Sequence, residues 1–186
     1  MTARQAMAAA ALAAVAALCG CAGYRWTSDV PESMRTVAVP TFDNRTMSAE
    51  LGPIISQYAL REFQREGTFS IRRTGDAALE VQGTVEKATR AAIDYDRSYG
   101  MRAKEYRYEV TVSVALVDKS SGKVLFEDRR YSGETTFLTQ NDLLTGQRDA
   151  AQRVAHEIAR QIVDDVVGFQ YSGSGNGNGA VEGVQR

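Results

Sequence analysis

Two cysteines near the start of the chain, Cys19 and Cys21, have the type and spacing that point most directly to chemistry. They end an apolar run of Ala, Leu and Val over residues 6–18, which follows a start with one positive charge, Arg4. The run has the length of the hydrophobic part of a secretory signal, and it is too short to span a bilayer, which takes about 18 apolar residues. The segment therefore predicts that the chain is exported.

The residue before each cysteine indicates which of the two is modified. Small Gly20 precedes Cys21, whereas bulky Leu18 precedes Cys19. The stretch Leu18-Cys19-Gly20-Cys21 resembles the lipobox of bacterial lipoproteins, in which the signal is cut before the cysteine and its thiol is acylated. We therefore predict that Cys21 is the first residue of the mature chain. A covalent lipid on Cys21, with no other cofactor, would then tie the protein to a membrane.

A second group of side chains, suited to binding, lies between and along the two longest alternating segments. Arginine pairs with phosphate or carboxylate in charge-assisted bonds, and tyrosine lies against sugar rings or the edge of acyl chains. The same group also fits the polar interior of a membrane barrel. It fits an ordinary solvated turn as well, because Asp94, Asp96 and Glu105 flank it. The candidate contact residues are Arg90, Tyr95, Arg97, Tyr99, Arg102 and Lys104.

The sequence offers little for catalysis or metal binding. His156 is the only histidine, and with no cysteine or second histidine near it in the sequence it is a poor metal ligand. Asp94 and Asp96 could act as a carboxylate pair, but turns favour aspartate in any case. The chain has 22 Lys and Arg against 23 Asp and Glu, so it lacks the basic excess typical of nucleic-acid binders. We predict no catalytic residue, no metal and no nucleic-acid partner.

Hydrophobic spacing predicts the elements that must position these residues. Apolar residues recur at helical spacing over residues 48–66 and again over 142–167. Pro53 suits the first turn of the first helix, and Gly67 suits the cap at its end. Strands are predicted where β-branched residues cluster or apolar and polar residues alternate, over residues 35–42, 68–72, 78–93, 104–117 and 123–136.

The order of these elements, a strand, a helix, a run of strands and a helix, predicts an α+β fold. Each helix has one apolar stripe, so both can pack on one face of a mostly antiparallel sheet of about four to five strands, as a two-layer sandwich. The chain divides into a lipoprotein signal peptide at 1–20, a lipid anchor and spacer at 21–34, the α+β domain at 35–168, and a Gly-, Ser- and Asn-rich tail at 169–186 that we expect to be disordered.

Several local motifs, in this order, make the chain similar to the LptE family of lipopolysaccharide-assembly lipoproteins. The resemblance covers nearly all of residues 20–167. It is carried by the lipobox with Gly23-Tyr24 after it, Thr36-Val-Ala-Val-Pro-Thr-Phe-Asp-Asn-Arg-Thr46, the helix at Leu51–Phe63, Asp76-Ala-Ala-Leu-Glu-Val-Gln-Gly83, Tyr108-Glu-Val-Thr-Val-Ser-Val114, Gly122-Lys-Val-Leu-Phe-Glu-Asp128 and the helix at Arg148–Val167.

The resemblance implies a non-enzymatic lipoprotein of the outer membrane, anchored at its periplasmic face. Its partner would be a large outer-membrane β-barrel, LptD, in whose lumen it would sit while it helps to place lipopolysaccharide in the outer leaflet. Ala22 follows Cys21, where an aspartate would signal retention in the inner membrane. The strand motif is also similar to other exported lipoproteins. The alternative is therefore a periplasmic interaction module that activates a cell-wall synthase or forms part of a secretion assembly.

Overall fold

The computed structural model describes residues 30–97, 100–139 and 142–171. Cys21, and with it the predicted signal peptide, lies outside the described residues. A 3-10 turn at Glu32–Met34 comes first, and the strands and helices that follow are numbered here along the chain. They are β1 (Thr36–Ala38), β2 (Asp43–Asn44), α1 (Leu51–Glu66), β3 (Ser70–Ile71), β4 (Leu79–Asp96), β5 (Arg102–Asp118), β6 (Lys123–Leu138) and α2 (Leu143–Val167).

The strands form one mixed sheet of six strands, in the order β3-β1-β4-β5-β6 with β2 also beside β4. The α+β class is confirmed, but the predicted sheet was too small and too uniformly antiparallel. The β4–β5–β6 meander is antiparallel, whereas β1 pairs in parallel with β3 and β4, and β2 pairs in parallel with β4. Parallel pairs require crossover connections, and the passage through α1 supplies the one between β1 and β3.

One short strand lies outside the segments predicted as strands. Asp43–Asn44 rejoins the sheet beside Thr84 and Val85 as β2. Pro40 has no N–H to give to a ladder, so β1 ends before it and the chain returns to the sheet a few residues later. The predicted strand over 35–42 is therefore shortened to β1, and β2 lies just beyond its predicted end, on the same side of β4.

The core lies between one face of the sheet and the two helices. Gly67 ends α1 with a φ of 83°, the left-handed conformation that glycine adopts readily, and Asp142 caps α2 by accepting from the N–H groups of Leu144 and Thr145. Residues 169–171, which the sequence assigns to the tail, pack at the end of α2, and the Tyr171 hydroxyl donates to the carbonyl of Val166 at 2.7 Å. The buried positions of the helices and long strands include Leu51, Ile55, Ala59, Phe63, Leu79, Val81, Val85, Val110, Val112, Val114, Leu116, Val154, Ile158, Ile162 and Val166.

Candidate partner-binding site at the β4–β5 hairpin

The β4–β5 hairpin extends well beyond the packed core. The last fully buried residue of β4 is Val85, and the next buried residue along the chain is Tyr108 in β5. Strand β6 accompanies the hairpin only as far as Leu138, which pairs with Glu105. The hairpin therefore ends in a two-stranded tip, whose outermost described pair is Asp96 with Arg102.

The tip brings together most of the predicted contact residues. Arg97, Arg102 and Lys104 are exposed within a few residues of the turn. Tyr95 pairs with Ala103 across the hairpin, and 47% of its surface is exposed. Tyr99 lies outside the described residues. The tip thus presents three cationic side chains and one tyrosine to solvent.

Arg90 is held apart from this tip group. Its Nη1 donates to Oε1 of Gln147 in α2, and its guanidinium carbon lies 5.4 Å from the centre of the Tyr106 ring. Tyr106 in turn stacks on Phe137 of β6, with ring centres 5.6 Å apart and planes at 17°. Arg90 therefore belongs to the base of the hairpin, where it ties β4 to the first turns of α2.

A buried tyrosine completes this base. Tyr108 is 2% exposed, and burial raises the pKa of its hydroxyl, although hydrogen bonds with Ser48 and Gln147 act in the opposite direction. Sequence reasoning did not include Gln147 or Phe137 in the site. In the sequence, each occupies an ordinary helical or strand position. Their contacts with Arg90 and Tyr106 join segments that are far apart in the chain, so the sequence does not reveal them.

Exposed apolar side chains gather at the same end of the molecule. Met101 is 61% exposed and has a φ of 60°, an uncommon backbone conformation for a residue other than glycine. Such strained, exposed residues are found at binding surfaces more often than elsewhere. Ile93 and Tyr95 of β4 are also exposed, as is Leu138, which ends β6 opposite Glu105.

The described chain enters the fold at the end of the sheet opposite to the hairpin tip. Val37 in β1 pairs with Leu79, the first residue of β4. Strand β4 then runs for 18 residues to Asp96, which at about 3.3 Å per residue amounts to about 60 Å. The amino-terminal side of the domain and the tip are therefore separated by nearly the full length of the sheet.

His156 has a structural setting. Its Nε2 lies 2.8 Å from Oε1 of Glu62, so that the pair joins the two helices, and its ring packs 5.8 Å from that of Tyr58. Among the described residues no three His, Cys, Asp or Glu side chains converge as a metal site. In that same part of the chain, neither helix has the length and apolar character needed to cross a membrane.

The chain shares its fold with solved structures. It is similar in fold to a putative lipoprotein from Caulobacter crescentus, with a TM-score of 0.50 and 16% identity over 72% of this chain and 92% of that one. It is equally similar to the hypothetical protein CT253 from Chlamydia trachomatis, with a TM-score of 0.50 and 13% identity over 74% of this chain and 98% of that one. Identities this low show likeness of fold alone. No curated protein matches the chain in sequence.

A family model gives the assignment that these structures leave open. The model described as LptE, Lipopolysaccharide-assembly, matches residues 34–166. That range includes both helices almost completely, all six strands and the hairpin tip. The resemblance found in the sequence motifs is thereby confirmed, and the chain belongs to the LptE family of lipopolysaccharide-assembly proteins.

Proposed function

We propose that this protein is an outer-membrane lipoprotein subunit that plugs and stabilises an LptD-like β-barrel translocon and assists lipopolysaccharide assembly. The observation that carries the proposal is the β4–β5 tip, which projects beyond the core and combines exposed cations with exposed apolar side chains. The subunit acts by binding and makes or breaks no covalent bond, as expected for a family without enzymatic activity.

The chemistry of the tip suits an amphiphile that carries phosphate. Arg97, Arg102 and Lys104 can pair with phosphate oxygens, and the exposed side chains of Tyr95 and Met101 can cover sugar rings or acyl chains. The lumen of a barrel is polar and offers many hydrogen-bond partners to the same side chains. Both contacts, with lipid and with the barrel, therefore fall on the tip.

The predicted lipid anchor on Cys21 orients the hairpin tip relative to the membrane. Val30 follows Cys21 by nine positions, and a fully extended chain of that length reaches about 30 Å. A lipid on Cys21 would hold the β1 side of the sheet close to the inner leaflet of the outer membrane. The tip, at the far end of the sheet, could then enter a barrel whose wall crosses a hydrocarbon layer about 30 Å thick.

Affinity purification of the full-length acylated protein in a gentle detergent, followed by mass spectrometry, tests this proposal. We expect a β-barrel of the lipopolysaccharide translocon in stoichiometric amount. Recovery of a cell-wall synthase or of secretion components in its place would overturn the proposal and favour the periplasmic interaction module. Recovery of this chain without any other protein would also overturn the barrel assignment.

A further inference from the structure

Arg90 and Tyr108 lie opposite each other in the β4–β5 hairpin, and one side chain of α2 binds both of them. The two residues are direct partners in the antiparallel ladder. Arg90 Nη1 donates to Oε1 of Gln147, and the Tyr108 hydroxyl is hydrogen-bonded to the same Gln147 side chain. Gln147 therefore holds both strands of the hairpin at a single level, where the packed core ends.

The arm of the hairpin, residues 87–96 and 102–111, is joined to the rest of β4 at an irregular point. The ladder with β5 shifts register between Val85 and Lys87, and a strand bends at such irregularities. On the side of β4 away from β5, β2 reaches only as far as Val85, and beyond it no strand of the described ranges pairs with that side. The arm can therefore change its angle to the body of the sheet unless other contacts hold it.

The ion pairs at this irregularity are weak restraints on the angle of the arm. Glu86, the residue passed over in the register, lies 3.8 Å from Nη1 of Arg45 and 3.8 Å from Nε of Arg130. The two arginine side chains are 72% and 70% exposed, and exposed ion pairs of this kind contribute little to stability. The main restraint on the arm therefore comes from the face that α2 covers.

The first turns of α2 fit closely against aromatic rings at the base of the arm. A Cβ at Gly146 would lie 2.7 Å from Cδ2 of Phe137, so the helix backbone approaches this ring as closely as glycine permits. Phe137 stacks on Tyr106 of the arm, and the guanidinium carbon of Arg90 lies 5.4 Å from the centre of the Tyr106 ring. The rings set the distance between α2 and the arm, and the next residue of the helix, Gln147, binds both strands of the arm from there.

We propose that Gln147 and Arg90 are positioning residues, which set the angle of the arm to α2 and with it the direction in which the hairpin tip meets its partner. Neither side chain needs to touch the partner. A tip that is held in one direction loses less conformational freedom on binding than a tip that swings about its base. The link between angle and binding rests on the proposed function, whereas the angle itself can be measured on the protein alone.

Two spin labels measure the angle of the arm without any partner. Arg97→Cys at the tip and Arg160→Cys on α2 place the labels at exposed residues, in the acylated protein in detergent, whose lipid occupies Cys21. The distribution of distances between the labels should be narrow when the arm is held and broader or displaced when it is free.

Substitutions at the two positioning residues should change this distribution. Gln147→Leu keeps a side chain of similar size and loses both hydrogen bonds, so it should broaden or displace the distances, and Arg90→Ala should do the same. Gln147→Glu should keep them narrow, because a carboxylate accepts from both a guanidinium and a hydroxyl. Gln152→Leu, the same change at an exposed residue of α2, is the matched control. Distances that Gln147→Leu and Arg90→Ala leave unchanged, in variants with the circular dichroism spectrum of wild type, would overturn the inference.

Binding of the barrel by the unlabelled variants tests the positioning role. Gln147→Leu should lower the affinity for the barrel about two- to tenfold, a loss that corresponds to about one hydrogen bond, while Gln147→Glu and Gln152→Leu should bind as wild type does. Displaced or broader distances together with unchanged binding would overturn the positioning role. If wild type recovers no barrel, the proposed function fails, and the spin-label distances still decide whether Gln147 sets the angle of the arm.

Discussion

The ring of Phe42 lies directly on the backbone of Gly83, so closely that a Cβ at residue 83 would clash with the ring. Phe42 is itself fixed at its backbone, because its N–H donates to the Ser56 hydroxyl at 2.7 Å and that hydroxyl donates to the Gly52 carbonyl. Two of the sequence motifs that carry the family resemblance, one containing Phe42 and one ending at Gly83, therefore meet in a single contact, which Ser56 of α1 supports.

Gly83→Ala should destabilise the domain through this contact. The added methyl group must displace Phe42, and overpacking of this kind costs about 1–3 kcal/mol. Urea unfolding followed by circular dichroism measures the change in free energy of unfolding. Gly75→Ala is the matched control, because nothing lies within 4 Å of a Cβ at that residue. Equal stability of the two variants would show that Phe42 moves aside without cost.

Stability on the acid side should depend on Asp118 in the β5–β6 turn. This side chain accepts from the N–H and hydroxyl of Ser120 and from the Ser121 hydroxyl, and these bonds lower the pKa of its carboxyl. A carboxyl whose pKa is lower in the folded state stabilises the protein above its unfolded pKa of about 3.9, and that contribution is lost as the pH falls through the folded pKa.

Asp118→Asn should therefore cost about 1–2 kcal/mol at pH 6, and less as the pH is lowered toward 3. Urea unfolding at several pH values checks both statements. Asp76→Asn, in the turn before β4, removes the same charge from an exposed residue and serves as the control. A difference between wild type and Asp118→Asn that stays constant with pH would contradict this explanation.

The sequence pattern predicted the antiparallel part of the fold well and the parallel part poorly. Alternation along β4 and β5 shows which side chains are buried, and adjacent strands joined by short turns pair with each other. Nothing in the spacing of Thr36–Ala38 or Asp43–Asn44 indicates that both lie in parallel beside β4. A strand of two or three residues is too short for a period to be recognised, and its partner is chosen by the long-range packing of α1.

The positions of the candidate contact residues relative to one another were predictable only in part, and their role in binding stays a prediction. Arg97, Arg102 and Lys104 lie together because one turn joins them, which a local reading of the sequence can detect. Arg90 belongs to the base of the hairpin because it bonds to Gln147, a residue 57 positions away. A contact of that kind depends on where α2 begins relative to β4, which the sequence pattern does not encode.

Acylation should depend on Cys21. Cys21→Ala removes the thiol that would receive the lipid, so the variant should lose the mass of the acyl groups and either leave the membrane fraction or keep its signal peptide. Mass spectrometry of the protein and fractionation of cells measure these outcomes. Cys19→Ala is the control and should be processed normally, because residue 19 lies in the predicted signal peptide. Acylation that persists in Cys21→Ala would show that the lipobox was placed wrongly.

Charge reversal at the hairpin tip should weaken binding without unfolding the domain. Arg97 and Arg102 are exposed and lie beyond the core, so Arg97→Glu with Arg102→Glu changes two contacts and leaves the packing of the helices intact. Losing two charge-assisted bonds should reduce affinity for the barrel or for lipopolysaccharide at least about tenfold. The yield of co-purified barrel and the binding of lipopolysaccharide to the purified protein separate the two kinds of contact.

The matched control carries the same change in charge at the other end of the sheet. Arg72 and Arg73 are exposed just after β3, which β1 separates from the start of β4, and they lie far from the tip, so Arg72→Glu with Arg73→Glu should bind as wild type does. If the two double variants weaken binding equally, net charge decides the affinity and the tip has no special part in it. If neither weakens binding, the tip is an ordinary solvated turn, and the contact with the barrel must lie elsewhere on the domain.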